Sequence, residues 1–366
     1  MKKLILVFLG FNFLFSFSAC VTSNDEGHVA DNQNVVAKNV ILLIGDGMSY
    51  AQIQAAETIL NKQLAMQSMP FTGNSTTYSA DKLITDSGAA GTAIATGHKT
   101  NNGMIGMNAD STAVVSMLEM FADAGKKTAI AVSCGITHAT PAAFVAKNIN
   151  RNDYEAIAAD FAATDKLDYF VGGGRNHFQK REDGQDLLSG MQENGWQFFD
   201  ELTAVVPTST KFGVFVADKH PASVLEGRGD LLPKATALLI KQMSAHENGF
   251  FLMIEGSQID WAGHENDSAY LINEMADFDA AVLEALQFAK KDGETLVVVT
   301  SDHETGGLTL VNGPNKDYTR IRLHYSSGNH TSVSVPVFAY GPGAEYFTGV
   351  YDNIDIIDKV MKASGY

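Results

Sequence analysis

Residues 84–93, ITDSGAAGTA, place an aspartate and a serine at the head of a stretch with almost no large side chain. Asp and Ser are common helix caps, so the plain reading of Asp86–Ser87 is an N-cap. The alternative is a nucleophile. A helix start offers free N–H groups and a dipole that favour an anion, and small residues let the backbone approach something closely. Elsewhere, acids and histidines stand at the ends of apolar runs. Asp46 follows VILLIG, Glu255 follows FFLMI, Asp260 and His264 lie in DWAGH, and Asp302–His303 follow TLVVVTS. His330 comes after a glycine and before VSVPVFAY, with His324 six residues earlier as the alternative. Each alone fits an ordinary loop residue. Together they are an excess of metal-ligand types, and adjacent Asp-His and Asp-x-x-x-His spacings can converge on divalent ions. Such ions can activate a serine that is otherwise a poor nucleophile.

These residues need a frame that gathers strand ends. Residues 39–47, NVILLIGDG, read as a buried strand running into a glycine turn. TAVVSMLEMFADAG reads as an amphipathic helix stopped at Gly125, and KKTAIAVS as the next strand. FGVFVA, GFFLMIEG, ETLVVVTSDH and PVFAYGPG are further short apolar runs, while DLLPKATALLIKQMSAH and SAYLINEMADFDAAVLEALQFAKK have helical spacing. VGGGRNHF lacks a phosphate-loop lysine and reads as a turn after a strand. Apolar strands alternating with helices predict an α/β fold, a three-layer sandwich. Its mostly parallel central sheet is covered by helices on both faces. A metal site is then expected at the C-terminal ends of the strands. No internal repeat or second composition regime divides residues 38–366, which read as one catalytic domain.

The chain has 366 residues, 45% hydrophobic and 19% charged, which excludes a disordered protein. A net charge of -16 argues against a nucleic-acid partner. Lys2 and Lys3 precede the apolar run LILVFLGFNFLFSFSAC, so residues 1–19 read as an export signal. Cys20 after Ala19 suggests a lipoprotein site, although Phe17 replaces the usual leucine; the alternative is an ordinary cleaved signal peptide. Residues 20–37 are polar and read as a flexible tether. The expected location is exported, periplasmic or outer-membrane-associated, with a lipid anchor on Cys20. Cys134 is the only other cysteine. With Cys20 acylated it has no partner, and it reads as a core residue at a strand end rather than a reactive one.

In order and spacing, NVILLIGDG, TDSGAAGTA, THATPAAF with Arg151 downstream, EGSQIDWAGH, TSDHETGG and GNHTSVSVPVFAYGPG resemble the bacterial alkaline phosphatases. The likeness runs from about Asn39 to near the C-terminus and is strongest to exported, cold-active-type enzymes of marine and polar bacteria. The resemblance implies hydrolysis of phosphate monoesters to an alcohol and inorganic phosphate through a phosphoserine. Ser87 matches the nucleophile and Arg151 the phosphate-binding arginine. Asp260, His264 and His330 match the ligands of one zinc; Asp46, Asp302 and His303 match those of a second. Asp46, Thr140 and Glu255 match the ligands of a third ion, usually Mg²⁺. The match selects His330 over His324. Small phosphate monoesters are the expected substrates, inorganic phosphate the product and inhibitor, and a homodimer a candidate assembly.

Two positions depart from the best-known bacterial pattern: His138 stands where an aspartate is often found, and Trp261 where a lysine often lies. Imidazole favours zinc-like ions over Mg²⁺, so this pair is expected to tune the third site; simple packing is the other reading of Trp261. His98, His177, His220 and His246 have no partnered spacing and read as surface or loop residues. Only 26 residues separate His303 from His330, which predicts no large accessory insertion there. The competing functions are a phosphodiesterase or sulfatase of the same superfamily, and a lipid-anchored phosphate- or zinc-binding protein without turnover.

Overall fold

The computed structural model describes residues 36–204, 210–313 and 321–366. The expected signal segment 1–19 and all but the last two residues of the tether 20–37 lie outside the described residues.

Among the described residues, ten strands form one sheet in the order β14-β2-β13-β8-β1-β7-β3-β4-β6-β5. They are β1 (Asn39–Gly45), β2 (Phe71–Thr76), β3 (Lys127–Gly135), β4 (Tyr169–Gly173), β5 (Gln197–Phe199), β6 (Phe212–Phe215), β7 (Phe250–Gly256), β8 (Thr295–Thr300), β13 (Val335–Tyr340) and β14 (Gly349–Asp352). Only β13 runs antiparallel to its neighbours, β2 and β8. The other pairings are parallel. The central strands are buried on both faces, which is why they read as unbroken apolar runs rather than alternating ones.

The pleat sorts alternate residues of β1 into two cores. Val40, Leu42 and Ile44 face one, where they join side chains from α2 (Ser87–Thr96), α3 (Met117–Asp123), α4 (Ala139–Ala142), α5 (Tyr154–Ala163), α6 (Arg175–Gln179), α7 (Leu187–Glu193) and α11 (Asp355–Ala363). Ile41 and Leu43 face the other, with α1 (Tyr50–Leu60), α8 (Leu231–Met243), α9 (Gln258–Glu265) and α10 (Ser268–Asp292). The expected three layers are present.

Parallel register aligns the strand ends. Ile44 pairs with both Glu255 on β7 and Thr300 on β8, and Val132 on β3 pairs with Glu255. Asp46, Glu255, Asp302 and the turn after β3 therefore reach one edge of the sheet. Residues 304–331 carry the two-residue strands β9 (Glu304–Thr305) and β12 (His330–Thr331), which pair with each other, and the hairpin β10 (Leu308–Asn312)–β11 (Arg322–Tyr325).

The helix expected over residues 112–125 is shorter than its pattern. Ser116 caps it in a box with Glu119, and Ala113 instead bridges to Met107. A capping serine and a backbone partner for Ala113 outweigh the apolar period of the first residues. Among the described residues, no helix is long and apolar enough to cross a membrane.

Candidate active site

Asp260 and His264 lie in the first and last turns of α9, four residues apart and so on one helix face. His330 comes to them from β12. His264 Nε2 is 3.3 Å from Asp260 Oδ2, His330 Nε2 is 3.4 Å from Oδ1, and the two Nε2 atoms are 3.1 Å apart. Each ring uses its other nitrogen on a carbonyl: His264 Nδ1 on Gly328 O at 2.8 Å, His330 Nδ1 on Thr85 O at 2.9 Å. A carbonyl only accepts, so both Nδ1 atoms donate and both Nε2 atoms converge beside a carboxylate, where a cation can take the place of a proton. That arrangement suits a cation. His324, the alternative, pairs with Thr309 in the β10–β11 hairpin away from this group.

Asp46, Asp302 and His303 form a second group, fully buried. His303 Nε2 lies 3.4 Å from Asp46 Oδ1, 3.2 Å from Asp302 Oδ2 and 3.2 Å from Ser87 Oγ. The tautomer follows from Thr305. Its hydroxyl donates to Asp260 Oδ1 at 2.5 Å and so must accept from His303 Nδ1 at 3.2 Å. Thr305 thus links the two groups and leaves Nε2 facing Ser87. Burial opposes charge on His303, but the Asp302 carboxylate outweighs it, so the ring's pKa lies above the ordinary histidine value. Asp46 is held well above the usual carboxylate range by burial and by Asp302, Asp260 and Glu255 around it. Neither Asp46 oxygen has a hydrogen-bond partner, nor does Asp302 Oδ2. Buried carboxylate oxygens without donors are costly, and cations are the partners that fit them.

The third expected set is Asp46, Thr140 and Glu255. Thr140 Oγ1 and Glu255 Oε1 are buried and unpaired, and burial lifts the Glu255 carboxyl to about 7. His138 sits beside this set with Nδ1 unpaired. Burial and then Arg151 depress its pKa to about 3, which keeps the ring neutral and able to ligate. His138 and Trp261 meet edge to face, with centroids 6.0 Å apart. Two residues join them that their sequence spacing concealed. His220 stands 5.0 Å from the Trp261 ring and 5.9 Å from His138, and its Nδ1 accepts from the Gly135 amide at 3.0 Å. It is an exposed loop histidine, as its spacing suggested, that also borders the site. Cys134, read as core, is indeed buried and free, but its Sγ lies 3.5 Å from Glu255 Oε2.

Ser87 opens α2, and Asp86 is its cap: Asp86 Oδ1 accepts from Ala89 N at 2.9 Å. Oδ2 accepts from Gly103 N at 3.0 Å and from Arg151 Nη1 at 2.9 Å. One aspartate therefore starts the helix and aims the guanidinium. The small residues behind Ser87 serve protein packing, where the sequence had suggested room for a ligand. All ten residues of α2 are buried. A Cβ on Gly88 would stand 3.0 Å from Met104 O, and one on Gly91 3.3 Å from Ala143 Cβ and Thr140 Cα. Gly47, with φ +76°, turns the chain after Asp46 where a Cβ would meet Asp260 Cα at 2.8 Å.

Residues 37–319 match the family model described as alkaline phosphatase. The chain is 32% identical to alkaline phosphatase 4 of Bacillus subtilis (strain 168), with 89% of each protein covered. It is 30% identical to the alkaline phosphatase of Escherichia coli (strain K12), over 90% of this chain and 86% of that one. Its fold matches the alkaline phosphatase from the Antarctic bacterium TAB5 with a TM-score of 0.86 at 42% identity, covering 91% of this chain and 99% of that one. A TAB5 mutant with a histidine changed to aspartate has Mg bound in the M3 site. By sequence and by fold, this chain belongs to the alkaline phosphatase family and is a metal-dependent phosphomonoester hydrolase.

Proposed function

We propose that the enzyme works through a phosphoserine on Ser87. Two zinc ions would be held by Asp260–His264–His330 and by Asp46–Asp302–His303, and a third ion, Mg²⁺, by Asp46, Thr140 and Glu255. The observation that carries this reading is Ser87 Oγ at 3.2 Å from His303 Nε2, at the head of a helix and beside an arginine braced by Asp86. Bound divalent ions supply positive charge where the attacking and leaving oxygens of a phosphoryl transfer become negative.

Arg151 grips non-bridging phosphate oxygens with the donors that Asp86 does not occupy. The N-terminus of α2 adds its dipole on the same side. Ser87 Oγ gives up its proton to solvent and attacks phosphorus; the bond to the alcohol oxygen breaks, and the alcohol leaves with a proton from solvent. Water then attacks the phosphoserine, which restores the Ser87 hydroxyl and frees inorganic phosphate. Burial of Asp46, Asp302 and His303 keeps bulk water from screening these charges. Export with a lipid on Cys20 remains the reading of residues 1–20 and rests on their sequence.

The test is hydrolysis of p-nitrophenyl phosphate at pH about 9 with zinc and magnesium. Wild type is compared before and after chelation with Ser87→Ala. Expected is turnover that collapses on chelation and falls about a thousandfold or more in the variant. A folded Ser87→Ala that keeps the wild-type rate overturns the nucleophile. Faster hydrolysis of a bis-aryl diester or an aryl sulfate than of the monoester overturns the substrate class.

A further inference from the structure

Cys134 takes no part in the chemistry above, yet it does not sit like a packing residue. Its Sγ, a ring nitrogen of His138 and a carboxylate oxygen of Glu255 all lie within 4.8 Å of one another, and all three residues are buried. The thiol has one proton and two acceptors near it, Gly135 O at 3.3 Å and Glu255 Oε2 at 3.5 Å. It can satisfy only one. His138 Nδ1 and Glu255 Oε1 are buried without any partner. Three donors of different kinds therefore surround a point where none completes another.

The backbone explains how the sulfur arrives there. Val132 pairs with Glu255 in the β3–β7 ladder, and the β3–β4 register slips between Ala131 and Gly135. Cys134 lies within that slip, two residues beyond the pairing that fixes Glu255. The rings of Trp261 and His220 close the side next to His138.

We propose that Cys134, His138 and Glu255 form a second donor set at the third site, one that takes a zinc-like ion in competition with Mg²⁺ on Asp46, Thr140 and Glu255. The inference rests on the three-ion reading given above and adds a competing donor set at its third site. Thiolate, imidazole and carboxylate are the donors of a tetrahedral zinc or cobalt site, with a fourth position left for an oxygen. Mg²⁺ demands near-octahedral oxygen and keeps several waters, which a sulfur donor and two aromatic rings do not supply. Glu255 belongs to both donor sets, so an ion on Cys134 competes with Mg²⁺ on Asp46 and Thr140. The thiol proton passes to solvent as the ion binds.

The full-length protein is stripped, loaded with Co²⁺ alone and scanned in the near-ultraviolet, where a cobalt–thiolate bond gives a charge-transfer band. Cobalt at the two groups of histidines and aspartates gives none, because neither contains sulfur. Wild type is expected to show the band, and Cys134→Ser to lose it together with one bound cobalt per chain. A wild type without the band, or a band that survives in Cys134→Ser and so belongs to Cys20, overturns the proposal. If Cys134→Ser fails to fold, the wild-type spectrum decides against Cys20→Ser, which must retain the band. A portion of each sample, reloaded with zinc and magnesium, is assayed on p-nitrophenyl phosphate. Turnover without a band sinks the thiolate site alone; a band without turnover leaves that site standing and sinks the phosphoserine reading.

Discussion

Arg151 shows how a single side chain's chemistry depends on its brace. Asp86 Oδ2 fixes one end of the guanidinium at 2.9 Å, and the remaining planar N–H donors match a tetrahedral anion two at a time. Lysine at this position keeps the charge and loses the fork. Arg151→Lys is expected to lower kcat/KM on p-nitrophenyl phosphate by about ten- to a hundredfold and to weaken inhibition by inorganic phosphate. Unchanged phosphate inhibition removes Arg151 from the binding role. Most of the donor set could be read from the chain because each acid or imidazole ends an apolar run or lies four residues from its partner. Thr305, His220 and Cys134 could not. Thr305 matters because its hydroxyl joins Asp260 to His303, and His220 because it meets Trp261, 41 residues away. Their roles come from contacts between elements, which leave no local spacing to read.

At the scale of elements, α2 carries the most demanding fit. Its ten buried residues include Gly91, whose missing side chain lets the helix lie against α4. Gly91→Ala gains about 1 kcal/mol of helix propensity. It also drives a methyl to 3.3 Å from Thr140 Cα and Ala143 Cβ, and overpacking of this kind costs about 1–3 kcal/mol. The expected result is a lower thermal midpoint with weaker metal retention at Glu255 and Thr140. A variant that is more stable and retains metal as wild type does removes the packing argument. The same contrast separates the strands that the sequence reveals from those it hides. Central strands such as β1, β7 and β8 are continuous apolar runs. β2, β5 and β14 are short or polar pieces at or near the sheet margins. In β2, Gly73 has a place because Phe347 O would lie 2.1 Å from a Cβ there, a constraint set by a residue far away in the chain.

For the whole molecule, the cost of gathering these carboxylates should appear as a pH dependence that metal removes. In the stripped protein, Glu255 holds its proton up to about 7 against an ordinary 4.5, because burial disfavours its charge. His264 holds one up to about 9 against 6.5, because it hydrogen-bonds Asp260. Both folded-state pKa values are raised, so the folded form binds more protons than the unfolded one and stability falls as pH rises through those values. Asp260 and Asp302 are shifted down, and their contributions are lost only in acid, below the ordinary 3.8. His138 is depressed to about 3 and acts in the opposite sense, but only below 6.5. Between pH 6.5 and 9, Glu255 and His264 pull the same way. The chelated enzyme is therefore expected to lose several degrees of thermal midpoint across that window, while zinc- and magnesium-loaded enzyme stays nearly level and higher throughout. Scanning calorimetry of both forms checks this. A chelated midpoint that stays flat or climbs between pH 6.5 and 9 would show that the fold tolerates these charges without cations. The burial argument for cations at Asp46, Glu255 and Asp302 would then fail with it.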